Sequence, residues 1–369
     1  MTSDELKSWK DFTPTTDVKA LGKADAIILC VPTPLTDDGR PDLSFVRDTA
    51  HAVGGVMQKG ALVVLESTTY PGTTRGVVKP ELERRGLKCG RDFLLAYSPE
   101  REDPGNRSFQ GARIPKVVGG FDKASLKAAS ALYGAAVEKV VGVSGLEVAE
   151  AEKLLENIYR CVNIALVNEL KLCLDKMGID IWEVVEAAAT KPFGFQKFTP
   201  GPGWGGHCVP VDPFYLTWRA REFGFETRFI NLAGEINTQM PFWVVARLEG
   251  ALKKPLAGAK VLVLGLAYKK DIDDPRESPA WKIMDLLAQK GAKVAYNDPH
   301  IPSLPKTRHW AHLDVPFAPV TDTSLGSHDA VVLVTDHSSY DYARIAKRAR
   351  LIVDTRNAFA GLRGNIVKA

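Results

Sequence analysis

The sequence predicts an α/β protein with two doubly wound, Rossmann-like domains, joined by a long central helix within an all-helical middle domain. Three observations carry this. Continuous apolar runs alternate with helical spacing through the first third of the chain, the pattern of buried parallel strands covered by helices. A helical pattern without Gly or Pro then runs from just after Gly145 to Leu174. Strand-then-glycine patterning restarts near Leu256. The domains implied are residues 1–140, 141–253 and 254–369.

In the first domain Ala24–Pro34 and Ala61–Pro71 are apolar runs that end in prolines, and each reads as a buried strand feeding a loop. Phe45–Gln58 and Thr73–Arg85 have helical spacing, Phe93–Pro99 reads as a third strand, and Lys116–Gly120 as a fourth. Ligands on such sheets sit beyond the carboxyl ends of the strands. Those ends carry Pro32, Thr33, Ser67, Thr68 and Glu100. Met1–Lys23 is polar, with a short helix expected over Ser3–Trp9, and it holds no Gly-x-Gly-x-x-Gly turn.

The central helical pattern is longer than an average helix, which suits a connector or a subunit interface. Lys153 and Asn157 stand four apart on it and share a face. A helix over Ile181–Ala189 follows, then an irregular stretch over Lys191–Pro213, then helix again over Leu232–Leu252. Within the irregular stretch, Gly201-Pro-Gly-Trp-Gly-Gly-His-Cys-Val-Pro-Val-Asp-Pro213 sets a lone Cys208 after a glycine-rich run, with Asp212 four residues on. Glycine permits close backbone approach to a ligand, so the thiol is a candidate nucleophile, although free cysteines more often pack as small apolar residues.

The last domain opens with strands at Lys260–Gly265 and Lys293–Asp298, the second ending in an acid. Gly265 alone survives of a dinucleotide fingerprint, with Ala267 at the second position. A mononucleotide or nucleotide-diphosphate site fits better. Asp329–Thr335 and Leu351–Asp354 supply further strands. Ser278 and Pro279 are placed to start a helix over Ala280–Lys290. Lys269 and Arg276, on the loop before it, are candidate phosphate contacts.

Composition narrows the classes. The 369 residues are 45% hydrophobic and 25% charged, ordinary for a soluble globular protein. A net charge of +4 is too mild to argue for nucleic acid and allows an anionic small molecule. No apolar run reaches membrane-span length and no signal-peptide pattern is present. The five cysteines are scattered without a CxxC pair, which suits a reduced, cytoplasmic protein. His207 beside Cys208 has no second ligand pair, so no metal site is expected.

Taken together, several motifs resemble the UDP-glucose/GDP-mannose dehydrogenase family. They are Val31–Pro34, Glu66–Thr68, Ser98–Asn106, Ala151–Asn157, Gly201–Pro213, Gly265–Pro279 and Asp354–Asn357, in the family's order and across nearly the whole chain. The Ser98–Asn106 and Gly205–Pro213 motifs resemble the branch that oxidises UDP-N-acetylglucosamine. The UDP-glucose branch more often has lysine where Val211 stands here. The resemblance implies NAD as cofactor, a UDP-sugar as substrate, and four-electron oxidation of a C6 alcohol to a carboxylate for surface polysaccharide precursors. It implies Cys208 as nucleophile, with Lys153 and Asn157 stabilising the oxyanion. Asp212, Glu100 and Thr68 would hold water and accept protons, and either Glu102 or Asp103 would be the second acid near Glu100. It further implies Thr33, Thr68 and Arg276 on the cofactor, and Phe198, Gly203 and Lys269 on the sugar nucleotide. Arg356 resembles a ligand arginine whose target is open. A homodimer or higher homo-oligomer through the central helix is expected.

The departure is at the start. The family opens with strand, Gly-x-Gly-x-x-Gly turn, helix and a strand ending in an acid. By element count roughly sixty to eighty residues are missing, about two units of the ~30-residue βαβ size. Their absence predicts an unpaired sheet edge and weakened cofactor affinity. A misplaced start or a true truncation would each explain it. The alternative function is therefore a sugar-nucleotide-binding protein without catalysis. A two-electron 3-hydroxyacid dehydrogenase is disfavoured by the cysteine motif and the second α/β domain.

Overall fold

The structure, a computed structural model, describes residues 12–36, 38–103, 111–206, 208–307 and 309–369. The helix expected over Ser3–Trp9, His207, and Pro104–Asn106 of the Ser98–Asn106 motif lie outside the described residues. The chain divides into two compact units, Met1–Leu154 and Leu155–Ala369.

The first unit holds strands β1 (Ala26–Leu29), β2 (Leu62–Leu65), β3 (Leu94–Tyr97), β4 (Lys116–Gly120) and β5 (Val140–Val143) in the order β1-β2-β3-β4-β5. The first three are parallel, β4 runs antiparallel to β3, and β5 is parallel to β4. A parallel return from β3 would need a helical crossover. The described part of that connection supplies only a three-residue 3₁₀ turn, Gly111–Arg113. Helix α1 (Ser44–Gly54) caps one face together with α2 (Lys79–Glu83), and α3 (Lys123–Gly134) covers the other. Gly54 permits the α1–α2 approach, since a Cβ there would lie 2.9 Å from the Leu82 Cα. The helix expected over Thr73–Arg85 is instead a π turn, Thr74–Val78, followed by α2; Pro80 has no N–H to bond back along the helix. Strand β1 is an edge of the sheet among the described residues, with Ile28 43% exposed.

Helix α4 (Leu146–Lys176) follows β5 and is continuous across the division between the units. In the second unit come α5 (Ile181–Ala189), α6 (Cys208–Arg221) and α7 (Arg228–Ala251). The expectation of an irregular stretch through Pro213 is corrected here, because α6 begins at Cys208 and contains Pro210 and Pro213. Pro210 falls in the first turn, where the missing N–H costs nothing. Pro213, one turn later, does forgo a helical bond.

The second sheet comprises β6 (Lys260–Leu264), β7 (Lys293–Asn297), β8 (Ala330–Leu333), β9 (Ile352–Asp354) and β10 (Ile366–Lys368), all parallel, in the order β10-β9-β8-β6-β7. Helix α8 (Pro279–Gln289) begins with the expected cap, Ser278 Oγ accepting from Ala280 N–H at 3.2 Å. The remaining short helices are α9 (Asp322–Ser327) and α10 (Tyr342–Arg348). Trp281 of α8 is buried in the same core as Val261 and Val263 of β6.

Candidate active site

Cys208 is exposed and is the first residue of α6. The run leading to it is fixed by a buried amide chain. Gly201 N–H donates to Asn168 Oδ1 at 2.9 Å, Asn168 Nδ2 to Asn237 Oδ1 at 2.9 Å, and Asn237 Nδ2 to the Cys161 carbonyl at 3.2 Å. Both asparagines are fully buried. Neither was a sequence candidate, because their link spans two helices distant in sequence.

The glycines of the motif make room for neighbouring side chains. A Cβ at Gly201 would sit 2.7 Å from Arg356 Nη1, and one at Gly205 2.6 Å from the Tyr268 Cβ. Gly206 has φ +78°, lies against the Tyr268 ring, and donates its N–H to the Arg276 carbonyl at 3.0 Å.

Asp212 lies one turn after Cys208 on α6 and is 1% exposed. Its Oδ2 accepts from Asn157 Nδ2 at 2.6 Å, while Asn157 Oδ1 accepts from Arg160. An amide nitrogen carries two protons, so Asn157 keeps a second N–H to donate. Arg276 grips Asp274, Nη2 to Oδ2 at 2.6 Å, and lies near enough to Cys208 to interact with its charge.

Phe198, Gly203, Lys269 and Arg356 line one cavity of about 510 Å³ with Trp204 and Tyr268. That is within the usual size range of small-molecule sites. Arg356 is tethered by Nε donating to the Val334 carbonyl at 2.8 Å, and its Nη atoms lie towards Gly201. Burial makes this guanidinium a weaker base than usual, partly offset by Asp336 and Asp354.

The acid that ends β7 has a different use from a ribose contact. Asp298 is fully buried, and its Oδ2 accepts from Leu266 and Ala267 N–H at 2.7 and 2.8 Å. These are the loop amides that would meet a phosphate in a dinucleotide site. Its Oδ1 accepts from His300 N–H, and His337 Nε2 lies 3.0 Å from Oδ2. A backbone carboxylate clasp thus fills the loop after Gly265, which agrees with the degraded glycine fingerprint. Asp271, His300 and His337 have ligand-type atoms within 4.8 Å of one another. His337 has both nitrogens committed, however, since Nδ1 accepts from Asp271 N–H at 3.0 Å.

In the first unit the strand ends carry the expected polar groups. Thr33 is buried and Thr68 partly exposed. Ser67 Oγ accepts from Val31 N–H and donates to the Val31 carbonyl, both at 2.8 Å, which ties the two loops together. The Glu100 side chain is 55% exposed and faces Lys116 Nζ at 3.3 Å. Burial opposes ionisation of Glu100, but Lys116 and the Glu102 and Arg101 N–H groups outweigh it and hold the carboxyl below its ordinary range. Lys116 also pairs with Glu66 at 3.2 Å, and Glu66 accepts from Tyr133 Oη at 2.5 Å. Lys116 was missed by sequence reasoning. The usable signal was a lysine opening a strand that is buried throughout, since a buried ammonium requires acid partners. Lys153 is buried and donates to the Glu100 carbonyl; Glu102 and Asp103 are exposed.

Comparison with known proteins places this arrangement. Residues 4–137 match the NAD binding domain, 147–239 the central domain and 262–361 the UDP binding domain of the UDP-glucose/GDP-mannose dehydrogenase family. The UDP-N-acetyl-D-glucosamine 6-dehydrogenase of Pseudomonas aeruginosa is 35% identical over 341 residues, 91% of this chain and 79% of that protein. Among solved structures, a UDP-D-ManNAc dehydrogenase from Pyrococcus horikoshii superposes with a TM-score of 0.86 at 34% identity, covering 96% of this chain and 82% of that one. A UDP-glucose dehydrogenase from Pyrobaculum islandicum gives 0.81 at 28% identity, covering 95% and 82%. The class is that of NAD-dependent nucleotide-sugar dehydrogenases. Within it, the chain belongs to the UDP-glucose/GDP-mannose dehydrogenase family.

Proposed function

We propose that the chain oxidises the C6 alcohol of a UDP-sugar, UDP-N-acetylglucosamine before the others, to the carboxylate by way of a covalent Cys208 intermediate. The observation that carries this reading is Cys208 exposed at the start of α6, one turn from the buried Asp212–Asn157 pair. The motif resemblance to the N-acetylglucosamine branch and the 35% identity to the Pseudomonas aeruginosa enzyme favour that sugar.

The fit to NAD can be tested on the first unit. Thr33 and Thr68 stand at the carboxyl ends of adjacent parallel strands, where a nicotinamide would lie. The described residues of the first unit contain no Gly-x-Gly-x-x-Gly turn for the pyrophosphate. They therefore fit the nicotinamide half. NAD, when bound, supplies the hydride acceptor.

The side chains divide the remaining work. The Cys208 thiolate adds to the C6 aldehyde, giving a thiohemiacetal that is oxidised to a thioester. Thioesters hydrolyse readily, which is why a thiol suits this position. Lys153, with two protons beyond the one it gives Glu100, and the second N–H of Asn157 donate to the developing oxyanion. Asp212 and Glu100, with Thr68, hold water and accept its proton. Phe198 and Gly203 cover the sugar while Lys269 and Arg356 meet the diphosphate. Arg276 turns from Asp274 towards the cofactor.

Leu155, Tyr159, Leu166 and Leu170 are exposed along one stripe of α4, the spacing of a helix–helix seam. A second copy of the chain covers it in this reading, and sedimentation would read out the dimer. The five cysteines form no disulfide among the described residues, which suits a reducing cytoplasm.

The deciding experiment is stoichiometry. Two NADH per UDP-N-acetylglucosamine consumed supports the reading; no NADH with any UDP-sugar sinks it. Calorimetric binding of UDP-sugar without NAD would then favour the non-catalytic alternative.

A further inference from the structure

Lys171, on the penultimate turn of α4, is 4% exposed and makes no hydrogen bond or ion pair among the described residues. It lines a cavity of about 260 Å³ with Asp175, Gly178, Asp180, Trp182 and Lys368. Trp182 is 8% exposed, and its indole Nε1 finds no acceptor among the described residues. A buried indole N–H left unmet costs free energy, and the Lys171 ammonium opens onto the same cavity.

The carboxylates nearby are already engaged. Asp175 pairs with Arg247 Nη1 at 3.4 Å. Asp180 accepts from Lys368 Nζ and from Trp182 N–H, the latter at 3.1 Å, capping α5. Asp354 accepts from the Arg356 and Phe359 amides, both at 2.9 Å. The two groups that remain are donors only, so a complementary ligand must accept hydrogen bonds and carry negative charge.

We propose that this cavity binds a small oxyanion, a carboxylate or phosphate group, through the Lys171 ammonium and the Trp182 indole N–H. Asp175 and Asp180 on the walls disfavour a dianion, so a monoanion is the better guest. Burial draws Lys171 down to about 8, against the pull of Asp175 and Asp354. Anion binding favours the protonated ammonium and is lost in alkaline solution.

The test uses the full chain and needs no catalysis. Its seven tryptophans give separate indole N–H resonances, with Trp182 assigned from Trp182→Phe. Sodium acetate and inorganic phosphate are titrated near neutral pH, against sodium chloride at equal ionic strength. The Trp182 resonance should move saturably with at least one oxyanion, at about millimolar affinity. Binding should weaken about tenfold per pH unit above the Lys171 pKa. In Lys171→Gln, or in Lys171→Met should that variant not fold, the resonance should stay in place on addition of either anion. The proposal is overturned if neither anion moves it, if chloride moves it equally, or if the Lys171 variants titrate like the parent.

Discussion

The two sheets use the carboxyl ends of their strands in opposite ways. In the second unit the strand-end acids are consumed internally. Asp298 is held by the Leu266 and Ala267 amides with His337, and Asp354 by the Arg356, Ala358 and Phe359 amides. In the first unit the corresponding region keeps Glu100 half open and Thr68 partly exposed. Its fully buried acid is Glu150 on α4, which braces the loop after β2. One architecture therefore serves two ends. A sheet whose acids are spent on its own backbone is suited to an anionic ligand met by cationic side chains, here Lys269 and Arg356 around one cavity. A sheet whose strand ends stay open can do proton chemistry.

The sharpest way to break this division is at the thiol. Cys208→Ala should lower turnover by on the order of a thousandfold or more, as loss of a covalent nucleophile does, while UDP-sugar affinity by calorimetry stays close to the parent. Full turnover would remove the covalent step altogether. The next contrast sets one acid from each sheet side by side. Asp298→Ala removes the clasp of a buried loop and should cost about 3–5 kcal/mol, the range for breaking a buried ionic cluster, read as a fall in the urea midpoint. Glu100→Gln should leave that midpoint almost unmoved, since the side chain is more than half exposed. Turnover should instead drop by about a hundredfold, the lower range for an acid–base group. If the two variants exchanged effects, the comparison between the sheets would be wrong.

Much of this was legible in the sequence because buried parallel strands are continuous apolar runs, as β2, β3, β6 and β8 are; β1 is such a run too, although it lies half exposed at the sheet edge. Strand β5 escaped because it is only half buried and contains Gly142. Strand β10 escaped because it has three residues. Helix α3 was overlooked although Asp122 caps it, accepting from Ser125 N–H at 2.7 Å. Motifs singled out Cys208, Asp212, Asn157 and Glu100 as candidates, since residue type and local spacing can be read along the chain. They did not locate what orients them. The Asn168–Asn237 link and the Glu66–Lys116–Glu100 ladder join residues far apart in the chain, and no local pattern encodes such pairings. The glycines of the Cys208 motif were read as space for a ligand, whereas those at 201, 205 and 206 first make space for Arg356 and Tyr268.

Glu150 gives the last and smallest test, confined to the first unit. It accepts from Gly72 N–H at 2.6 Å, Thr74 N–H at 2.8 Å and Thr74 Oγ1 at 2.7 Å. Burial nevertheless dominates these bonds and raises the carboxyl to about 7. A carboxyl whose pKa is higher in the fold than in the unfolded chain binds its proton more tightly when folded. Its stabilising contribution is full below the unfolded value, and it is lost as pH rises through the folded one. Stability of the first unit should therefore fall by about 2 kcal/mol between about pH 5 and about pH 7 from this group alone. Glu150→Gln should remove that slope, keeping the side chain's size while abolishing its titration. No carboxylate of the second sheet is expected to contribute a slope of this sign. Asp298 is held below its ordinary range, because His337 and the loop amides outweigh a burial term that acts the other way, so its contribution is lost only in acid. Urea midpoints of the parent and of Glu150→Gln across that window decide the point. Parallel slopes would mean that Glu150 is already ionised in the fold and that its three hydrogen bonds outweigh burial.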